Sequence, residues 1–172
     1  MGTGSKIASI IIRANELLSA AIVVGILGHF LSIIDDANGS ANGKIVYAVV
    51  IASLSLIFSI VLMVPLWFTF RVFPLDFVMF VCWMVAFGLL VNLTGTNACS
   101  SAWYYNYWGY NWGRYYRTPV VTSSAVINNA GCADWRCVLA FSFMASMSWL
   151  GSFLLVSLSR KPLDHSTESI TW

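Results

Sequence analysis

The chain has 172 residues, of which 59% are hydrophobic and 9% charged, and its formal net charge is +2. Soluble domains carry about 25% charged residues, so this composition excludes a water-solvated surface over a fold of this size. The positive charges are few and scattered, which gives no basis for a nucleic-acid partner.

A bilayer crossing needs roughly 20 mostly apolar residues, and four segments reach that length. The first predicted span runs from Leu17 to Ile34, with an amphipathic lead-in from Ile7. Its apolar run is too long for a secretory signal peptide, and no A-x-A-like cleavage site with a polar mature start follows it. Arg13 and Glu16 precede this span at i, i+3 spacing and so share a helix face. Within it, Ala21, Gly25, Gly28 and Ser32 recur at intervals of four and three residues. Small residues on one stripe let a second helix approach closely, either inside the bundle or from another copy of the chain. His29, in the outer half, is expected to hydrogen-bond to a neighbouring helix rather than relay protons. The short connection that follows carries the glycosylation sequon Asn38-Gly39-Ser40.

The second span runs from Ile45 to Phe68, and Pro65 near its end is expected to bend it. The third runs from Leu75 to Leu93. Pro74 and Asp76 open it in the usual manner of a helix start, with the acid at the positive end of the helix dipole. A second, compatible reading is an interhelical ion pair between Arg13 and Asp76, since charges below the headgroups rarely stay unpaired. No charge interrupts the middle of any span, where coupled transporters usually keep one.

A long loop, residues 94–136, precedes the fourth span. Cys99 and Cys132 bracket it and are the preferred disulfide pair, with Cys137 as a rival partner. Closing a loop of this length contributes about 3–4 kcal/mol in the chain-entropy model. Cys82 reads as a small buried hydrophobe in the third span. A membrane thiol–disulfide oxidoreductase would rely on a Cys-x-x-Cys pair, whereas Cys132 and Cys137 have four residues between them. Between the cysteines lies an aromatic run with Trp103, Tyr105, Trp108, Tyr110, Trp112, Arg114 and Tyr116. Three readings suit it: a loop lying on the headgroups, a protein contact built on Tyr, Trp and Arg, or a stack for sugar rings. Aromatics alternating between glycines also suit a short hairpin.

The fourth span runs from Cys137 to Ser159, with Ser142, Ala145, Ser148 and Ser152 divided between two adjacent faces. A polar tail, residues 161–172, follows the transmembrane domain of residues 1–160. An even number of spans puts both termini on one side. Lys6, Arg13, Arg71, Arg160 and Lys161 lie there, against Lys44, Arg114, Arg117 and Arg136 on the other side. That count, together with a cysteine pair that needs an oxidising compartment, places the termini in the cytoplasm and the long loop outside.

The third span opens Leu75-Asp76-Phe77 and continues Cys82-Trp83-Met84-Val85-Ala86-Phe87-Gly88. After the loop come Cys132-Ala133-Asp134-Trp135-Arg136, then Ala140-Phe141-Ser142-Phe143 and Trp149-Leu150. With two short connections before it, this layout resembles the MARVEL-domain proteins, especially the fungal kind, over nearly the whole chain. Claudins fit less well, because their first outer loop carries Trp and paired Cys; tetraspanins carry a Cys-Cys-Gly motif that this loop lacks. The resemblance implies a Cys99–Cys132 disulfide and a non-enzymatic role in membrane subdomains, apposition or trafficking. The aromatic run is no part of that family pattern.

The sequence thus predicts an all-α membrane protein, a four-transmembrane-helix bundle with a long extracellular loop between helices 3 and 4. It sits in the plasma membrane or secretory pathway, and its expected partners are membrane lipids and further copies of itself or other membrane proteins. No Ser/His/Asp set, metal cluster or phosphate-binding glycine loop is present, and no catalytic residue, metal or cofactor is expected. The competing expectation is a small channel or transporter, or an auxiliary subunit of one.

Overall fold

The structure is a computed structural model and describes residues 3–63, 73–95, 99–115 and 131–164. Five α-helices are present among these residues: α1 (Thr3–Asp36), α2 (Gly43–Met63), α3 (Phe73–Thr94), α4 (Gly109–Tyr115) and α5 (Cys132–Asp164). A π-helical turn, Tyr104–Trp108, runs directly into α4. Four of the helices are long and apolar enough to cross a membrane, over Ile7–Asp36, Gly43–Leu62, Pro74–Thr94 and Cys132–Ser157. The protein is therefore an integral membrane protein built on a four-helix bundle. In hydrocarbon no water satisfies the backbone, so apolar runs of this length close their hydrogen bonds internally as helices. Serines inside the spans follow the same rule: Ser53, Ser142 and Ser148 donate to the carbonyls of Val49, Val138 and Met144, each one turn back.

The principal contacts join α1 to α2, α2 to α3, α3 to α5 and α5 to α1, so the spans close a ring in that order. Opposite helices are α1 with α3 and α2 with α5. The core is a column of Val23, Leu27, Phe30, Ile45, Ala52, Trp83, Leu90, Val138 and Trp149, all fully buried. Between 28% and 39% of each span is buried within the protein, and the outward remainder is as apolar as the core, with Ile10, Ile57, Val78 and Leu154 exposed. An apolar exterior wrapped around a polar-containing interior suits lipid as the surrounding solvent.

Two boundaries differ from the sequence reading. The apolar part of α1 begins at Ile7 rather than Leu17, and the lead-in is continuous with the span. Helix α5 begins at Cys132, five residues before the predicted start at Cys137, because Gly131 turns the chain at φ +71° and Asp134 sits in the first turn. The region read as a long loop is itself largely helical over Tyr104–Tyr115. No strand forms among its described residues, so the hairpin is ruled out there. Pro65, Phe68, Arg71, Tyr116, Arg117 and residues 165–172 lie outside the described residues.

Candidate functional sites

At the end of the bundle nearer the N-terminus, polar side chains meet inside the ring. Arg13 on α1 donates from Nη1 to Glu16 Oε2 at 2.8 Å, and from Nη2 to Asp76 Oδ1 and Oδ2 at 2.8 and 2.9 Å. Glu16 Oε1 accepts from Ser152 Oγ of α5 at 2.6 Å. Arg13, Glu16 and Asp76 are 7%, 0% and 2% exposed, so this is a buried charge cluster and no surface bridge. The two roles weighed for Asp76 coincide, since it lies in the first turn of α3 and also pairs with Arg13.

The pairing crosses the ring from α1 to α3. A second polar link crosses the other way, with Trp149 Nε1 of α5 donating to Ser55 Oγ of α2 at 3.1 Å. The two links pass one another closely, for the Arg13 guanidinium carbon sits 5.1 Å over the Trp149 ring. Cation–π attraction is strongest where water is excluded. Nearby, Asn15 Nδ2 donates to Ser148 Oγ at 2.6 Å and joins α1 to α5 once more.

The opposite end is closed by the aromatic run. Tyr104, Trp108 and Trp112 fall four residues apart, on one stripe of the π-turn and α4, and that stripe is buried to 0%, 0% and 4% exposure. Trp108 stacks on Phe30 of α1 with centroids 4.2 Å apart and meets Trp135 of α5 edge-on at 4.8 Å. Trp103 also leans on Trp135, at 5.1 Å, and Trp112 lies 5.4 Å from His29. Hydrogen bonds fix the rings that packing alone would leave free to slide. Trp108 Nε1 donates to Gly131 O at 2.8 Å, and Trp135 Nε1 donates to Thr94 Oγ1 at 3.2 Å. Tyr107 holds the first connection, donating to Ser40 O at 2.8 Å and accepting from the Asn42 N–H at 3.0 Å. Burial pushes the Tyr104 hydroxyl up to about 12, with Tyr105 and Asp134 adding to the effect. Burial also raises Tyr107, against the hydrogen bond from Asn42. Cys99 and Cys132 are disulfide-bonded, with Cα atoms 5.7 Å apart, and tie the end of α3 to the start of α5 beneath this cap. Cys137, the rival partner, is a free and exposed thiol; Cys82 is free and half-buried.

The aromatic run read as an outward contact is thus mostly an internal one. Trp108 and Trp112 are buried, Trp103 and Tyr105 are half-buried, and Tyr110 alone among the described members is exposed, at 55%. Helical rather than extended backbone is the cause, since it gathers every fourth ring onto one face. Arg114 lies within α4. The small-residue stripe suits packing either inside the bundle or against another copy, and the fold leaves it mostly on the outside. Ala21, Gly25 and Ser32 are exposed and Gly28 half-buried, and a Cβ added at Gly25 or Gly28 would meet nothing within 4 Å. This stripe does not pack the bundle; it faces outward. Ser152, Trp149, Ser55, Phe30 and Gly131 complete the two sites and were not singled out for these roles by sequence. The one available signal was Tyr104, Trp108 and Trp112 at helical spacing.

Comparison with protein-family models, with curated proteins and with solved structures finds no match.

Proposed function

We propose that this integral membrane protein is a non-enzymatic organiser of its membrane, of the MARVEL kind, that assembles with copies of itself through the outward face of α1. The observation that carries the reading is the stripe of Ala21, Gly25, Gly28 and Ser32, which the fold leaves uncovered. Membrane helices associate by close backbone approach over small residues, because lipid supplies no hydrophobic drive between them. A second copy laid along this stripe gains van der Waals contact that lipid tails fit less closely. Such contacts gather copies into patches, which is how a chain without catalytic groups shapes subdomains, apposition or trafficking. The Cys99–Cys132 bond supports a location in the plasma membrane or secretory pathway, with the loop outside and the termini in the cytoplasm, since disulfides persist in oxidising compartments.

The test is a pair of substitutions, Gly25→Leu and Gly28→Leu. An added Cβ at either position meets nothing within 4 Å, and circular dichroism checks that the leucine variants keep their helices. Native size in lipid nanodiscs or mild detergent is expected to fall from assemblies to single copies. Assemblies of unchanged size in a folded double variant would sink the reading.

A further inference from the structure

Among the described side chains, the buried charges between α1, α3 and α5 do not balance. One guanidinium, Arg13, faces two carboxylates, Glu16 and Asp76, and all three are at most 7% exposed. Among the described side chains no other charge approaches them. α5 presents Ser152, and the titratable residues of α2, Lys44 and Tyr47, sit at the opposite end, as do Asp134, Arg136 and Cys137 of α5. If both acids were ionised, one surplus negative charge would sit inside the bundle, at a cost of several kcal/mol by the general desolvation argument. Two carboxylates that share one site avoid this by sharing one charge.

We propose that this cluster is a proton-binding site, in which Asp76 is the ionised partner of Arg13 and Glu16 carries the bound proton at neutral pH. The geometry distinguishes the two acids. Asp76 receives Arg13 Nη2 on both oxygens and lies in the first turn of α3, where the positive end of the helix dipole favours an anion. Glu16 is in the interior of α1 and has no such help. One of its oxygens accepts from Arg13, and the other meets the neutral Ser152 hydroxyl at 2.6 Å, a separation that serves with the hydrogen on either oxygen. With the proton on Glu16 Oε1, the carboxyl group donates to Ser152 Oγ. The serine hydrogen then turns to a backbone carbonyl one turn back, as helix serines do. Loss of the proton puts the surplus charge at the meeting point of three helices. The packing of α1 against α5 at this end therefore loosens as pH rises.

The chain has two glutamates, Glu16 and Glu168, so a full-length sample labelled with 13C at the glutamate side-chain carboxyl gives two resonances. In lipid nanodiscs at pH 7 one is expected at the ionised position and one at the protonated position. Glu168→Gln removes the ionised signal, and this assigns the other to Glu16 without disturbing the cluster. Asp76→Asn removes the competing anion, and the Glu16 signal is expected to move to the ionised position at the same pH. Two ionised signals in the native chain would overturn the proposal. So would a Glu16 signal that stays protonated in folded Asp76→Asn, because burial alone, and not charge sharing, would then hold the proton.

Discussion

The two ends of this bundle are held by opposite means. One end joins helices through three ionisable side chains, two serines and a tryptophan N–H, whose partners are fixed by geometry. The other end is closed by rings that pack in several tilted orientations and are pinned at a few N–H and O–H groups. A buried ionic cluster fails abruptly when one member is removed, because the others lose their compensation. An aromatic cap fails more gradually, since each ring touches several neighbours.

The largest expected effect comes from removing the shared cation. Arg13→Ala strands two buried carboxyl groups and is expected to destabilise the bundle by about 3–5 kcal/mol. The triple variant Arg13→Ala, Glu16→Gln, Asp76→Asn is expected to recover a large part of that loss, as read by thermal unfolding in nanodiscs. Equal losses in both would mean that the cluster acts through packing and would erase the contrast. At the cap, Gly131→Ala comes next. Its backbone at φ +71° costs a non-glycine residue about 1–2 kcal/mol. The added Cβ would also lie 2.8 Å from Trp108 Nε1 and 2.8 Å from Trp112 Cδ1. Tryptophan emission should report a loosened cap while Arg13 and Asp76 remain paired. The smallest effect is in pH. A tyrosine raised to about 12 in the fold and ordinary when unfolded keeps its stabilising share below pH 10. That share is lost as pH rises from 10 through 12, because the folded chain then holds the proton that the unfolded chain has released. Phenolate absorbance should show a component titrating near 12 that is absent in Tyr104→Phe.

The spans were legible because a run of apolar residues longer than a bilayer is thick leaves few alternatives. The Arg13–Asp76 pair was also within reach, since both charges fall near the starts of spans one and three, which run in the same direction. Ser152 and Trp149 were not. A serine reads as a small residue and a tryptophan as bulk until a fold shows which polar atom each one serves. In the aromatic run, Gly109 and Gly113 and the strand preference of Tyr and Trp argued for turns and extended chain. The four-residue spacing of Tyr104, Trp108 and Trp112 argued for a helix, and packing against Phe30 and Trp135 decides in its favour. The stripe on α1 was visible as a pattern, but periodicity fixes only that residues share a face, never which way the face points.

The arrangement of the charge cluster along the chain also bears on how the protein is made. Helix α1 leaves the ribosome with Arg13 and Glu16 three residues apart, long before α3 or α5 exists. An unaccompanied arginine resists insertion, by about 2.5–3.5 kcal/mol at the centre of a helix and by less near a span end, where Arg13 lies. Here the first helix carries its own counter-charge, so the translocon receives a nearly neutral segment. Asp76 and then Ser152 reach the cluster only as the later helices arrive. The contacts that lock the finished bundle are thus added in the order of synthesis, each to a partner already waiting in the membrane.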